Sequence, residues 1–569
     1  MKLHHQFLQL HAQFGTNEPQ EATEVTLDDL ASILDCTHRT ALTVIHKMEE
    51  LAWIDWVSRR GRGARSKLRF RVSPEDIAAQ FMMDAIRRKD VQQAIQDIRK
   101  HADTPSLQDQ LQGWLLSYFG HRAEIRSNRK IDTLRLPIRQ PLHTIDPLNM
   151  NLLAESFIAS HVFDGLVGRD SESGDIIPAI AHAWERNESG TEWTFHLRKG
   201  VVFHNGRLLT PEDVVYTFER LANSSGRSLY SAFFRLIQDV QIVNPVTIRM
   251  VLKEPCELFL PSLSTTRASI VPRNLGERSD VEFGLRPIGT GPFKLTGMQK
   301  HVCVLESFPH YYHGQAHLDR VEIVHVPWRL NGKKDDANDT LSLFHVIPGQ
   351  PATSESPWTQ LHSEVRVRKF VTCNTRKDGP LRNPHIRAAI MAALREQPET
   401  STIQDLLDPD SLADLRPLHI ATITPYQDDA DRVAQRLTQY GFTCQVLSST
   451  VEEFKGDIRL HADLIMFSLL RDQDEQLRFY DLYKTMAEHV EPNHQRDMLR
   501  SLSQVAGEPK PETRAELLLD MERRLTAADE LFILSEKPLQ TAFLPSIRGM
   551  SFNSQGWVDL RHLWFPPSG

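Results

Sequence analysis

TEWTFHLRKGVVFHNGRLLTPEDVVYTFERL, residues 191–221, decides the architecture of most of this chain. Trp193, Phe195 and Leu197 alternate with polar residues, the period of a strand with one buried face. Gly200 allows a turn, Val201 and Phe203 resume the strand, and Asn205-Gly206 is a hairpin signal. Thr210-Pro211-Glu212-Asp213 then opens a helix: an N-cap, a proline at the first helical position, and acids that suit the positive end of the helix dipole. Val214, Val215, Phe218 and Leu221 form its buried side.

This strand–hairpin–helix unit closely resembles the signature of the family 5 extracytoplasmic solute-binding proteins, the oligopeptide- and dipeptide-binding class. Three further stretches support the resemblance in the same order. FDGLVGRDSESGDIIPAIAHAWE (163–185) carries Pro178, Ala181 and Trp184 of an early segment. RPIGTGPFKL (286–295) is similar to a glycine-proline turn before a strand. VTCNTRKDGPLRNPHIRAAIMAAL (371–394) reads as strand, loop and helix, with Asn383 as cap and Pro384 at the helix start. LHIATITPYQDDADRVAQRLTQYGFTCQVLSSTVEEF (418–454) continues as strand–helix–strand. The resemblance implies a two-lobed α/β periplasmic-binding-protein-like domain (type II, oligopeptide-binding class) over 132–569. Its chain would cross between lobes near 375 and again near 540, with ligand in the cleft.

The chain upstream has a different texture. Thr26 with Asp29 forms a capping-box pattern, and Leu27, Leu30, Ile33 and Leu34 share a face. After a break at Cys36-Thr37, Ala41, Ile45, Met48 and Leu51 make the buried stripe of a second helix, whose opposite face carries His38, Arg39, Thr40, Thr43 and Lys47. WVSRRGRGARSKLRF (56–70) then reads as two strands around a glycine-containing turn, with Arg59, Arg60, Arg62, Arg65, Lys67 and Arg69 and no acid. Two helices followed by a basic hairpin spell a winged helix-turn-helix (α+β) over 1–73. Such a hairpin neutralises phosphates along double-stranded DNA, while the helix face meets base edges in the major groove. The plain alternative is a solvated hairpin on a protein-interaction module. A helical extension is expected over 74–120, opened by Ser73-Pro74, and a linker of low apolar content over 121–131.

The chain has 569 residues and a formal net charge of −8, so any polyanion binding must come from a local patch. Its five cysteines are scattered, without a CxxC pair, which fits reduced thiols rather than a disulfide framework or a zinc site. The start, MKLHHQFLQLHAQFG, lacks the apolar run of a secretory signal, and no segment approaches a membrane span. A cytoplasmic protein without membrane contact is expected. A winged helix fused to a solute-binding domain without export signal is similar to the SgrR-type transcriptional regulators, associated with sugar-phosphate stress. GRGARSKLRF (61–70) and QGWVDLRHLWFPPSG (555–569) resemble that group's wing and tail.

The resemblance implies a small-molecule ligand, a peptide or a sugar phosphate among the options. Peptide-binding members of the family hold the peptide amine with a carboxylate in the second lobe. Asp472 and Asp474 are the available acids, without the usual aromatic and proline context. Asn374, Arg376 and Lys377 follow a strand where charge would suit an anionic ligand, and Trp328 would stack on a sugar or peptide plane. The plain readings are a surface loop and a core tryptophan. No HExxH, no GxSxG elbow and no metal-ligand cluster occurs, so no catalytic role, metal or cofactor is expected. His204, inside the signature, reads as structural. Three functions follow: a ligand-responsive DNA-binding regulator; a transporter-associated binding protein with a protein-interaction module; or a regulator whose sensor only supports homodimerisation.

Overall fold

A computed structural model describes residues 2–15, 22–59, 65–74, 76–78, 81, 119–126, 129–138, 140–224, 230–299, 302–325, 359–395, 407–413, 415–543 and 547–566. The chain divides into two compact units: Met1–Arg122 with the pieces Leu134–Pro137 and Val324–Asp336, and the remainder. The expected helical extension over 74–120 lies almost wholly outside the described residues.

In the first unit, α1 (Lys2–Phe14), β1 (Thr23–Val25), α2 (Leu27–Ile33), α3 (His38–Glu50), β2 (Ile54–Val57) and β3 (Ser66–Phe70) follow in the order of a winged helix, with a three-stranded sheet β1-β3-β2. Both ladders are antiparallel, and Asp55 stands opposite Arg69 while Val57 stands opposite Lys67. The capping box forms as read: the Thr26 hydroxyl accepts from the Asp29 amide at 3.1 Å, and the Asp29 carboxylate accepts from the Thr26 amide at 2.9 Å. α3 starts on Thr37, whose hydroxyl accepts from the Thr40 amide at 3.3 Å. Its buried stripe is Ala41, Val44, Ile45 and Met48. Leu51, expected in that stripe, caps the helix C-terminus and is 50% exposed. Phe7 packs edge-on against Trp53 and Phe70, at 5.7 and 5.4 Å between ring centroids, which fastens α1 to the sheet strands and the turn before them. Each such aromatic pair adds about 1 kcal/mol beyond its buried area.

The second unit is two-lobed. In the first lobe, a four-stranded antiparallel sheet runs in the order Ile237–Asn244, Thr247–Leu252, Glu192–Leu197, Ala181–Arg186. Trp193, Phe195, Leu197, Val201 and Phe203 are buried, and Gly206 takes the positive φ of 85° that the hairpin turn requires. The helix Pro211–Ala222 follows; the buried Asp213 carboxylate accepts from the Thr210 amide at 2.8 Å and pairs with Arg207. Within 121–131, expected as a linker, the described residues lie in the strands Gly120–Arg126 and Arg129–Ile138.

The second lobe is a five-stranded sheet in the order Cys444–Ser449, Leu418–Ile423, Leu464–Arg471, Thr359–Cys373, Leu531–Phe543. The first two strands are parallel, joined by the helix Gln427–Gln439, as the strand–helix–strand reading requires. Asn383 caps the helix Pro384–Arg395 by accepting from the His385 amide at 2.9 Å. The strand Thr359–Cys373 pairs along most of its length with Leu531–Phe543. The second lobe's sheet therefore already begins at Thr359, before the crossover expected near 375, whereas its last strand ends at Phe543, close to the position expected near 540. Residues 547–566 then return to the first lobe, where the Leu560 amide donates to His161 Nε2 at 3.1 Å.

Candidate functional site

Two surfaces come into question. On the first unit, His38, Arg39, Thr40, Thr43 and Lys47 of α3 are all exposed, as are Arg59, Arg65, Lys67 and Arg69 around the hairpin. Arg60 and Arg62 lie outside the described residues. Not all of these groups are equally available. His38 Nε2 meets Asp28 at 2.7 Å, and the Thr43 hydroxyl donates to the Arg39 carbonyl at 2.9 Å. The Thr40 and Thr37 hydroxyls share a hydrogen bond of 2.9 Å. Among the described residues, Arg39, Lys47, Lys67 and Arg69 have no acidic group within ion-pair distance, whereas Arg71 is paired with Asp55 at 2.8 Å. Exposed cations without internal partners are what phosphate binding needs.

The second surface is the junction of the two lobes. Asn374, Arg376 and Lys377 find their partners elsewhere. Asn374 Nδ2 donates to the carbonyls of Leu460 at 2.8 Å and Ala462 at 3.0 Å, and its Oδ1 accepts from the Lys377 amide at 3.1 Å. Its amide group is thus fully engaged in holding a chain reversal. Lys377 pairs with the buried Asp463 at 2.7 Å, and the exposed Arg376 donates to Gln495 at 3.4 Å. All these partners belong to the second lobe. Trp328 lies outside the described residues.

Asp472 and Asp474 do lie at the lobe junction. They follow the strand Leu464–Arg471 and precede the helix Glu475–Met486. Arg478, on that helix, grips Asp472 with Nε at 3.0 Å from Oδ1 and Nη2 at 2.6 Å from Oδ2. Arg169 Nε, from the first lobe, stands 3.1 Å from Asp474 Oδ1 without hydrogen-bond alignment. Burial, and then the neighbouring Asp472, push the Asp474 carboxyl up to about 6. Tyr230 of the first lobe faces the same cluster: the Arg478 guanidinium lies 6.0 Å from its ring centroid, and its amide donates to Asp481 Oδ1 at 3.1 Å. Tyr230 adopts a φ of 66°, a left-handed conformation that is costly for a bulky side chain. Its hydroxyl is buried and has no hydrogen-bond partner among the described residues. Burial also lifts Asp481 to about 6 and lowers Lys455 to about 8.

Further hydrogen bonds tie the lobes together. Gln473 Nε2 donates to the Ser171 carbonyl at 2.6 Å, Asn151 Nδ2 to Glu452 at 2.6 Å, and the Glu257 amide to the Ala506 carbonyl at 2.8 Å. The sequence singles out the two acids but not Arg169, Tyr230 and Arg478, which surround them in the structure. Arg478 is signalled only by its place one helical turn after Asp474; the other two join the cluster from the opposite lobe.

The signature motifs are structural. His204 Nε2 donates to the Gly291 carbonyl at 3.0 Å, and its Nδ1 accepts from the Gly289 amide at 3.3 Å; burial holds its pKa down to about 4. The glycines allow this turn to lie on the backbone at Val162, where a Cβ at Gly289 would come within 2.0 Å of the Val162 carbonyl oxygen. Among the described residues no cluster of three metal-ligating side chains occurs, and no helix is long and apolar enough to cross a membrane.

Comparison with known proteins gives the same division. Residues 2–121 match the family described as sugar transport-related sRNA regulator N-term, and residues 175–397 match the bacterial extracellular solute-binding proteins, family 5 middle. An uncharacterized protein of Bacillus subtilis, YhjP, is 26% identical over 99% of this chain and 100% of its own length. The HTH-type transcriptional regulator SgrR of Yersinia pestis is 25% identical over 100% of this chain and 99% of its own. Among solved structures, the periplasmic binding protein DppA of Helicobacter pylori with peptide STSA superposes with a TM-score of 0.62 at 17% identity, over 76% of this chain and 98% of its own. The dipeptide binding protein of Pseudoalteromonas sp. SM9913 with Met-Leu gives 0.61 at 16% identity, over 76% and 100%. The chain thus joins an N-terminal domain of the sugar transport-related sRNA regulator (SgrR) type to a solute-binding domain of family 5.

Proposed function

We propose that this chain is a cytoplasmic transcription regulator that binds double-stranded DNA through residues 1–73 and senses a small molecule between the lobes of residues 132–569. The carrying observation is the set of exposed, unpaired cations on α3 and the hairpin, Arg39, Lys47, Lys67 and Arg69, in an otherwise acidic chain. Full-length similarity to SgrR regulators supports the reading. In it, α3 reads base edges and the hairpin follows the phosphates. Ligand between the lobes favours one lobe arrangement and shifts the DNA-binding population by no more than its differential affinity for the two arrangements.

The test is a salt titration of DNA binding by the full chain. Wild type should lose affinity steeply between 50 and 200 mM salt, by about 10³-fold if six phosphates are engaged. Arg39→Ala/Lys47→Ala/Lys67→Ala/Arg69→Ala should bind weakly and with a shallower salt slope. Unchanged affinity in that variant would sink the DNA-binding reading.

A further inference from the structure

Arg39 and Thr43 carry different chemistry to one face of α3. They stand four positions apart, so their side chains lie in one row, about 6 Å apart along the helix axis. Both are exposed, while Ala41, Val44, Ile45 and Met48 on the other side are buried. The Arg39 guanidinium has no acidic group within ion-pair distance among the described residues. The Thr43 hydroxyl, by contrast, is committed: it donates its one proton to the Arg39 carbonyl at 2.9 Å. That bond draws the oxygen onto the helix backbone and leaves the γ-methyl as the outward group. At the far end of α3, Glu49 and Glu50 are exposed, and their carboxylates oppose close approach of phosphates. The first half of the helix is therefore the half suited to a groove. Lys47, Lys67 and Arg69 suffice as point charges for phosphates, whereas a planar guanidinium fork matches guanine O6 and N7. A methyl group finds its counterpart in the major groove on one base alone, the 5-methyl of thymine.

We infer that α3 reads a guanine through the Arg39 guanidinium and, within about two base pairs of it, a thymine through the Thr43 γ-methyl. The spacing follows from the 6 Å offset of the two side chains, set against a rise of about 3.4 Å per base pair. Thr43 is thus a specificity-determining residue that acts by apolar contact, because its own backbone holds the hydroxyl. The inference rests on the DNA-binding part of the proposed function and names the bases that this surface selects.

The experiment uses the full chain and a library of DNA duplexes with a randomised core, from which wild type selects its best-retained sequence at one fixed salt concentration. In that duplex each thymine is replaced in turn by deoxyuridine, which lacks the 5-methyl group. Each guanine is likewise replaced by 7-deazaguanine, which lacks the N7 acceptor. Wild type is expected to lose about fourfold in affinity at one thymine, the worth of one buried methyl. It is expected to lose about tenfold at a guanine within about two base pairs of that thymine. Thr43→Ser keeps the hydroxyl bond and drops the methyl, so deoxyuridine at that position should cost it nothing further. Thr43→Val keeps a methyl and drops the bond, and should show the wild-type loss. Arg39→Ala should be indifferent to 7-deazaguanine. A selected duplex whose affinity for wild type survives either replacement at every position would overturn the inference while leaving DNA binding in place. So would a thymine whose replacement costs Thr43→Ser as much as wild type. Retention of no duplex by wild type would overturn the DNA-binding reading itself, and the inference with it.

Discussion

Arg169 and Asp474 meet across the lobe junction at 3.1 Å, with side chains 12% and 2% exposed. Breaking one side of such a pair leaves an uncompensated buried charge, typically at a cost of about 3–5 kcal/mol. Arg169→Met should therefore lower the urea midpoint of the solute-binding domain substantially. Arg169→Met/Asp474→Leu, which removes both charges, should recover most of the loss. A single variant as stable as wild type would show that the pair contributes nothing to closing the lobes.

Thr37 caps α3, the helix proposed to read DNA. Thr37→Ala removes the acceptor for the Thr40 amide and should cost about 1 kcal/mol of the first unit's stability. Thr37→Ser or Thr37→Asp should restore it. Thermal melts of the three variants, read by circular dichroism, check the order.

Asp164 gives a pH dependence of known sign. Burial pushes its carboxyl up to about 6, and the nearby Arg561 and a 3.4 Å hydrogen bond from the Tyr311 hydroxyl only partly offset this. Its folded pKa lies above the unfolded value, so its contribution to stability is fully present below about pH 4 and is lost as pH rises through about 6. Asp164→Asn has no such loss. Relative to wild type, the variant should gain about 3 kcal/mol between pH 4 and pH 7.5, in denaturant titrations at several pH values. A stability difference independent of pH would show that Asp164 titrates normally.

Two glycines of the family signature should respond differently to alanine. At Gly289 a Cβ would lie 2.0 Å from the Val162 carbonyl oxygen, so Gly289→Ala should prevent the turn from docking and cost more than about 3 kcal/mol. At Gly206 nothing lies within 4 Å of the added Cβ, and only the φ of 85° opposes the change. Gly206→Ala should cost about 1 kcal/mol. Soluble yield and unfolding midpoints of the two variants test the contrast.

Local rules made much of this protein legible. The capping box at Thr26, the proline-started helices at Pro211 and Pro384, and the Asn205-Gly206 turn each depend on a few adjacent residues, and each forms as read. The misses have physical reasons. Leu51 continues a helical spacing past the point where the helix has ended. Residues 121–131 look like a linker because HRAEIRSNRK has little apolar content, and low apolar content alone does not exclude a strand. Asn374 donates to the Leu460 and Ala462 carbonyls, contacts the sequence does not show, because a polar side chain that clips a turn has the same sequence appearance as one that faces a cleft. Asp472 and Asp474 stand out in the sequence, but their surroundings depend on Arg169, about three hundred residues upstream, and on which way Arg478 turns. No periodicity carries such information.

The hydrogen bond from the Leu560 amide to His161 has an implication for synthesis. Among the described residues, the second lobe's sheet draws all its strands from Thr359 to Phe543. On the ribosome it can assemble as soon as it emerges. The first lobe, begun much earlier, must wait with part of its interior uncovered until Trp557, Leu560 and Leu563 arrive to fill it. The half that is translated first is the half that is finished last.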